Sequence, residues 1–137
     1  MTTKQASRPA GLKGLHHVAL LVDDIAACEH FYCDLLGMTV EWKPDPDNVY
    51  LTSGNDNLAL HRAEDAIIEK VQRLDHIGII VQDEQAVDNW YEFLRQHDVE
   101  MVKAPKTHRD GARSFYCKDP AGTTVQLIFH PPLRSSL

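Results

Sequence analysis

Two stretches decide the fold: Leu15-His16-His17-Val18-Ala19-Leu20-Leu21-Val22-Asp23-Asp24 and Leu74-Asp75-His76-Ile77-Gly78-Ile79-Ile80-Val81-Gln82-Asp83. The second lies 59 residues after the first. The same shift superposes Leu15 on Leu74, His17 on His76, Val22 on Val81 and Asp24 on Asp83. It continues with Ala27 on Ala86, Tyr32 on Tyr91, Leu35 on Leu94, Val40 on Val99 and Glu41 on Glu100. Random pairing gives roughly one identity in fifteen for ordinary residue usage. Nine over residues 15–41 therefore mark an internal duplication.

Each copy reads the same way. A short Val/Ile/Leu run, His17–Val22 or His76–Val81, is too brief for a helix and suits a strand. Asp24 or Asp83 then caps a helix. Apolar residues at helical spacing follow: Ile25, Cys28, Phe31, Tyr32 and Leu35 in one copy, Val87, Trp90, Tyr91 and Leu94 in the other. Gly37 stops the first helix. Three more strands are expected in each copy. They are Thr39–Lys43, Val49–Ser53 and Asn57–Arg62, then Glu100–Ala104, Ser114–Lys118 and Thr124–His130. Pro44–Asn48, Gly54–Asp56 and Asp119–Gly122 supply turns. The expected fold is α+β, two tandem βαβββ modules over 14–62 and 74–131. Residues 63–73 are a linker, 1–13 a lead-in and 132–137 a tail.

Bulk properties narrow the function. The chain has 137 residues and a net charge of −6. The acidic balance opposes nucleic-acid binding. No apolar run approaches the ~18 residues of a membrane span, and residues 1–14 lack the apolar stretch of a secretory signal. A cytoplasmic location is expected. Cys28, Cys33 and Cys117 form no C-x-x-C pair and read as reduced thiols.

The chain resembles the vicinal oxygen chelate superfamily, the glyoxalase, bleomycin-resistance and dioxygenase group. The resemblance rests on Leu15–Leu20, on Phe31-Tyr32-x-x-Leu35-Leu36-Gly37-Met38, on Leu74–Ile79 and on Asp119-Pro120-Ala121-Gly122-x-x-Val125-Gln126-Leu127. It implies that the modules form paired half-barrels around a divalent metal (Zn, Ni, Fe or Mn). It places the ligands at His17, His76 and Gln126, with Ala59 where the first module's last strand would supply a fourth. A carboxylate usually stands at the Gln126 position, so the set here is neutral. His61, two residues beyond Ala59, shares its strand face and is a candidate ligand, substrate contact or base.

Arg109, Arg113 and Tyr116 are candidate substrate contacts. The arginines suit an anionic substrate if their loop is not simply solvated, and Tyr116 either donates to substrate or packs in the core. The resemblance implies a homodimer and a small oxygenated substrate. The leading activity is metal-dependent isomerase or lyase chemistry of the glyoxalase I type, with glutathione as a possible co-substrate. Alternatives are extradiol dioxygenation, fosfomycin-resistance-like epoxide opening, and a metal-free binding protein of the bleomycin-resistance type.

Overall fold

A computed structural model describes residues 15–64 and 74–131. The lead-in, most of the linker and the tail lie outside the described residues. The first module holds β1 (His17–Val22), α1 (Ile25–Glu29), a π-helical turn (His30–Leu35), β2 (Thr39–Asp45), β3 (Asn48–Thr52) and β4 (Asn57–Arg62). The second holds β5 (Ile77–Ile80), α2 (Glu84–Gln96), β6 (Met101–Thr107), β7 (Arg113–Lys118) and β8 (Thr124–Phe129). The two sheets share one topology, β1-β4-β3-β2 and β5-β8-β7-β6. In each, the first and last strands pair in parallel and the rest are antiparallel. The duplication read from the sequence is thus a duplication of structure.

Both expected caps form. Asp24 accepts from the Ala27 N–H at 2.9 Å and Asp83 from the Ala86 N–H at 2.8 Å. Several strand ends differ from expectation by a residue, among them β5, which spans Ile77–Ile80 rather than His76–Val81 and leaves His76 just before it, and two larger details differ as well. First, β2 and β6 run on through Pro44 and Pro105, which the sequence places beyond the strand ends. Both are sheet-edge strands, where a missing N–H costs no ladder bond. Second, the first helix widens into a π-turn, with the Leu36 N–H donating to the Phe31 carbonyl at 3.0 Å. The wider turn accompanies two consecutive aromatic residues, Phe31 and Tyr32, that are both buried.

Alternation gives each sheet a helix-side face and an open face. Leu20, Val22, Val49, Leu51, Leu58 and Leu60 of the first sheet are buried with Ile25, Cys28 and Phe31. Phe115, Cys117, Val125, Leu127 and Phe129 of the second are buried with Val87 and Leu94. These residues form one core cluster that spans both modules. At the seam, Tyr32 donates to Asp119 Oδ2 at 2.8 Å. Asp119 is buried, and its Oδ1 accepts from the Ala121 N–H at 2.9 Å and the Thr123 N–H at 2.8 Å. That carboxylate orders the β7–β8 turn and ties it to the first module's helix.

Burial, and next the charge of Asp119, pushes the Cys28 and Cys117 thiols up to about 12. The folded thiols hold their protons to higher pH than the unfolded ones. Stability from this source is therefore complete below an ordinary thiol pKa and is lost between about pH 9 and pH 12. Urea unfolding at pH 7 and pH 10.5 should show the loss, and Cys28→Ala should reduce it. A thiol reagent at pH 8 should modify Cys33 alone in the native protein. Tyr32→Phe leaves the buried carboxylate one donor short. It should cost about 1–3 kcal/mol in urea unfolding at pH 7.

Candidate metal centre

His17 opens β1 on the open face of the first sheet, and His76 immediately precedes β5 of the second. β1 and β5 are the outer strands of their sheets. Between them runs a cleft of about 360 Å³ lined by both histidines, Asn57 and Gly78. His16, directed away by alternation, also borders it, because the cleft lies along the β1 edge.

Each histidine is held by one ring nitrogen. His17 Nδ1 lies 2.6 Å from Asn57 Oδ1, and His76 Nδ1 lies 2.7 Å from Asp75 Oδ2. An oxygen partner on Nδ1 leaves Nε2 to act as a ligand. Metal-binding histidines are commonly oriented in this way.

Gln126 sits opposite Gly78 on the parallel neighbour of β5. Ala59 sits opposite Ala19 in the equivalent register of the first sheet. The Gln126 amide nitrogen donates to Tyr116 Oη at 3.0 Å and Ser114 Oγ at 3.2 Å. Its Oε1 is thereby turned toward β5. A Cβ placed on Gly78 would lie only 3.2 Å from that oxygen, so glycine leaves the room the amide occupies. The Tyr116 ring meets the His76 ring edge to face at 5.4 Å. Two imidazole nitrogens and an amide oxygen suit a divalent transition metal. Among the described residues, no group of three or more His, Cys, Asp or Glu side chains gathers to hold an ion. Gln126 does not itself line the cleft; it stands on β8 behind Gly78, so a third protein donor would have to reach the ion from there.

The remaining sequence candidates fall elsewhere. His61 shares the open face but pairs with Leu21, four residues along from His17. At ~3.3 Å per residue that is about 13 Å away, too far for one ion. His61 instead sits edge-on to Tyr50 at 5.7 Å, with its Nδ1 2.6 Å from Asn48 Oδ1. Arg113 does not face the cleft. Its guanidinium donates to Asp88 of α2 at 2.7 Å and to Thr107 at 2.9 Å. Its alternation partner Ser114 points to the open face instead. Arg109 is exposed in the β6–β7 turn.

Several polar residues of this face were not legible in the sequence. A bulge opposite Tyr50 turns both Glu41 and Trp42 to it. Trp42 stacks on Tyr50 at 5.2 Å and remains 60% exposed. Glu41 Oε1 accepts from Asn57 Nδ2 at 2.6 Å. The matching bulge in β6 sets Lys103 over the Tyr116 ring, at 5.7 Å, where the first module has Trp42 over Tyr50. Only strand register brings Asn57 to His17 and Ser114 to Gln126.

Comparison with known proteins agrees with this architecture. The family model of the Glyoxalase/Bleomycin resistance protein/Dioxygenase superfamily matches residues 14–127. The chain is 25% identical over 117 residues to metallothiol transferase FosB of Staphylococcus haemolyticus, covering 85% of this chain and 83% of that one. It is 26% identical over 124 residues to 2,2',3-trihydroxybiphenyl dioxygenase of Sphingomonas paucimobilis, covering 87% of this chain but 42% of the dioxygenase. The crystal structure of lactoylglutathione lyase from Agrobacterium tumefaciens has the same fold. Its TM-score is 0.73 at 22% identity, over 88% of this chain and 96% of that one. With its duplicated modules, its seam and the family match over most of its length, the chain belongs to the Glyoxalase/Bleomycin resistance protein/Dioxygenase superfamily.

Proposed function

We propose that the protein is a metal-dependent enzyme of the glyoxalase I type, with Nε2 of His17, Nε2 of His76 and Oε1 of Gln126 as ligands. The observation that carries this reading is the direction of the donors. Both histidines are fixed through Nδ1 beside one cleft, and the Gln126 oxygen is turned toward Gly78 of β5, the strand that His76 precedes. A bound Zn, Ni, Fe or Mn ion would act as a Lewis acid toward adjacent substrate oxygens.

The protein's own groups set the rest. Lys103 on the open face of the second sheet favours an anionic substrate, as a glutathione conjugate would be. Trp42 and Tyr50 offer a flat apolar surface on the other side. His61, about 13 Å along the first sheet from His17, is placed to contact the distal part of a substrate and lies away from the proton beside the chelated oxygens. Tyr116 and Ser114 hold the amide ligand in place. A homodimer is part of this reading, and sedimentation at micromolar concentration tests it. Among the described residues no helix is long and apolar enough to cross a membrane.

Similarity to the FosB transferase across most of its length supports a second reading, thiol transfer to a metal-chelating substrate. Assay with a glutathione hemithioacetal, and then with thiol plus an epoxide, separates the two. His61→Ala should raise KM for the hemithioacetal and leave kcat within about a factor of two, as loss of a contact remote from the reacting carbon. An unchanged KM removes His61 from the substrate's path.

Metal titration of protein without a histidine tag tests the centre directly. Wild type should take up about one zinc per chain, and the His17→Ala, His76→Ala double variant none. Gln126→Glu adds a negative ligand and should tighten binding at least ~10-fold, whereas Gly78→Ala displaces the amide and should weaken it by a similar factor. A wild-type protein that binds none of the four metals and gains no melting temperature from them contradicts the enzyme reading. It would leave a metal-free binding protein.

A further inference from the structure

On the open face of the first sheet, three side chains form a hydrogen-bonded line whose direction is fixed at one end. Glu41 is that end. An ionised carboxylate has no proton to give, so at 2.6 Å it must accept from Asn57 Nδ2. The Asn57 amide then has one orientation, with Oδ1 toward His17. An amide oxygen also only accepts, and it lies 2.6 Å from His17 Nδ1. The proton of a neutral His17 is therefore on Nδ1, and Nε2 carries a bare lone pair.

We propose that Glu41, acting through Asn57, is a positioning residue that selects the Nδ1–H tautomer of His17 and so presents Nε2 as the metal-ligating nitrogen. Its consequence for metal affinity rests on the proposed metal centre, while the tautomer itself does not.

Two features make the line more than a surface contact. Glu41 reaches Asn57 only because the β2 bulge turns it to the same face as Trp42. The same device also occurs a second time. Asp45 accepts from Asn48 Nδ2 at 2.9 and 3.1 Å, and Asn48 Oδ1 lies 2.6 Å from His61 Nδ1. By the same logic His61 is also an Nδ1–H tautomer, set by a different carboxylate. His76 is set by Asp75 directly. His61 and His76 thus serve as internal controls for any change made at Glu41.

The experiment is a two-bond ¹H–¹⁵N correlation spectrum of ¹⁵N-histidine-labelled apoprotein at pH 8. Assignments come from single histidine substitutions, and zinc titration is run in parallel. Wild type should show His17, His61 and His76 as Nδ1–H forms. In Glu41→Ala, His17 alone should shift to a mixture containing the Nε2–H form. Zinc affinity should fall about 10- to 100-fold, the range for loss of a ligand-orienting partner. Glu41→Gln keeps an acceptor oxygen and should recover most of both.

A wild-type His17 protonated at Nε2 overturns the proposal. So does a Glu41→Ala protein whose His17 remains wholly Nδ1–H. If wild type binds no zinc but the tautomer of His17 still shifts in Glu41→Ala, the relay stands and the metal reading fails.

Discussion

The carboxylate of Asp119, buried where the modules meet, is the contact on which the architecture turns. A buried charge is tolerated only when its hydrogen bonds are met. Here two donors come from its own turn and one from Tyr32 of the other module. The turn and the seam are thus satisfied together or not at all. The thiols of Cys28 and Cys117 lie close enough to feel the same charge, as does the Tyr32 hydroxyl, whose ionisation burial and Asp119 both oppose. The seam is built as one low-dielectric unit, and the core cluster that crosses it follows the same path.

With helices on one face of each sheet, the other faces are left for chemistry. The cleft between β1 and β5 then takes its side chains from both modules, and neither module could form it alone. Duplication placed a histidine on each side, while divergence made the two sides unequal. Ala19 opposes Ala59, but Gly78 opposes Gln126, so the small residue and the long amide of the second sheet fit as a pair. Trp42 and Lys103 occupy equivalent bulges above equivalent tyrosines, which gives one apolar wall and one basic wall.

The site is ordered by groups that can only accept or only donate. Asn and Gln amides are ambiguous by themselves, but a neighbouring carboxylate removes the ambiguity. Glu41 and Asp45 do so for Asn57 and Asn48, and each asparagine passes the direction on to a histidine. The exposed acidic residues of β2 therefore reach the imidazoles without touching them.

Much of this was legible in the sequence. The 59-residue repeat gave two modules and period-two alternation put His61 on the face of Ala59, because those properties are local, while the places of His17, His76 and Gln126 came from the family resemblance. The two asparagine relays were not legible. Asn57 meets His17 only through a parallel pairing across 40 residues, and Glu41 joins them only through a bulge. Alternation likewise put His61 on the correct face but could not give its level, and the strand rise sets it about 13 Å from His17. Arg113 was readable as a cation, yet its direction toward Asp88 depended on which face of β7 the helix covers. By itself the sequence determined the elements, the duplication and the residue types able to hold a metal, since these follow from periodicity and side-chain chemistry. Only the tertiary structure decided which of those residues meet and which nitrogen each histidine offers, because register, bulges and hydrogen-bond direction are settled between strands distant in the chain.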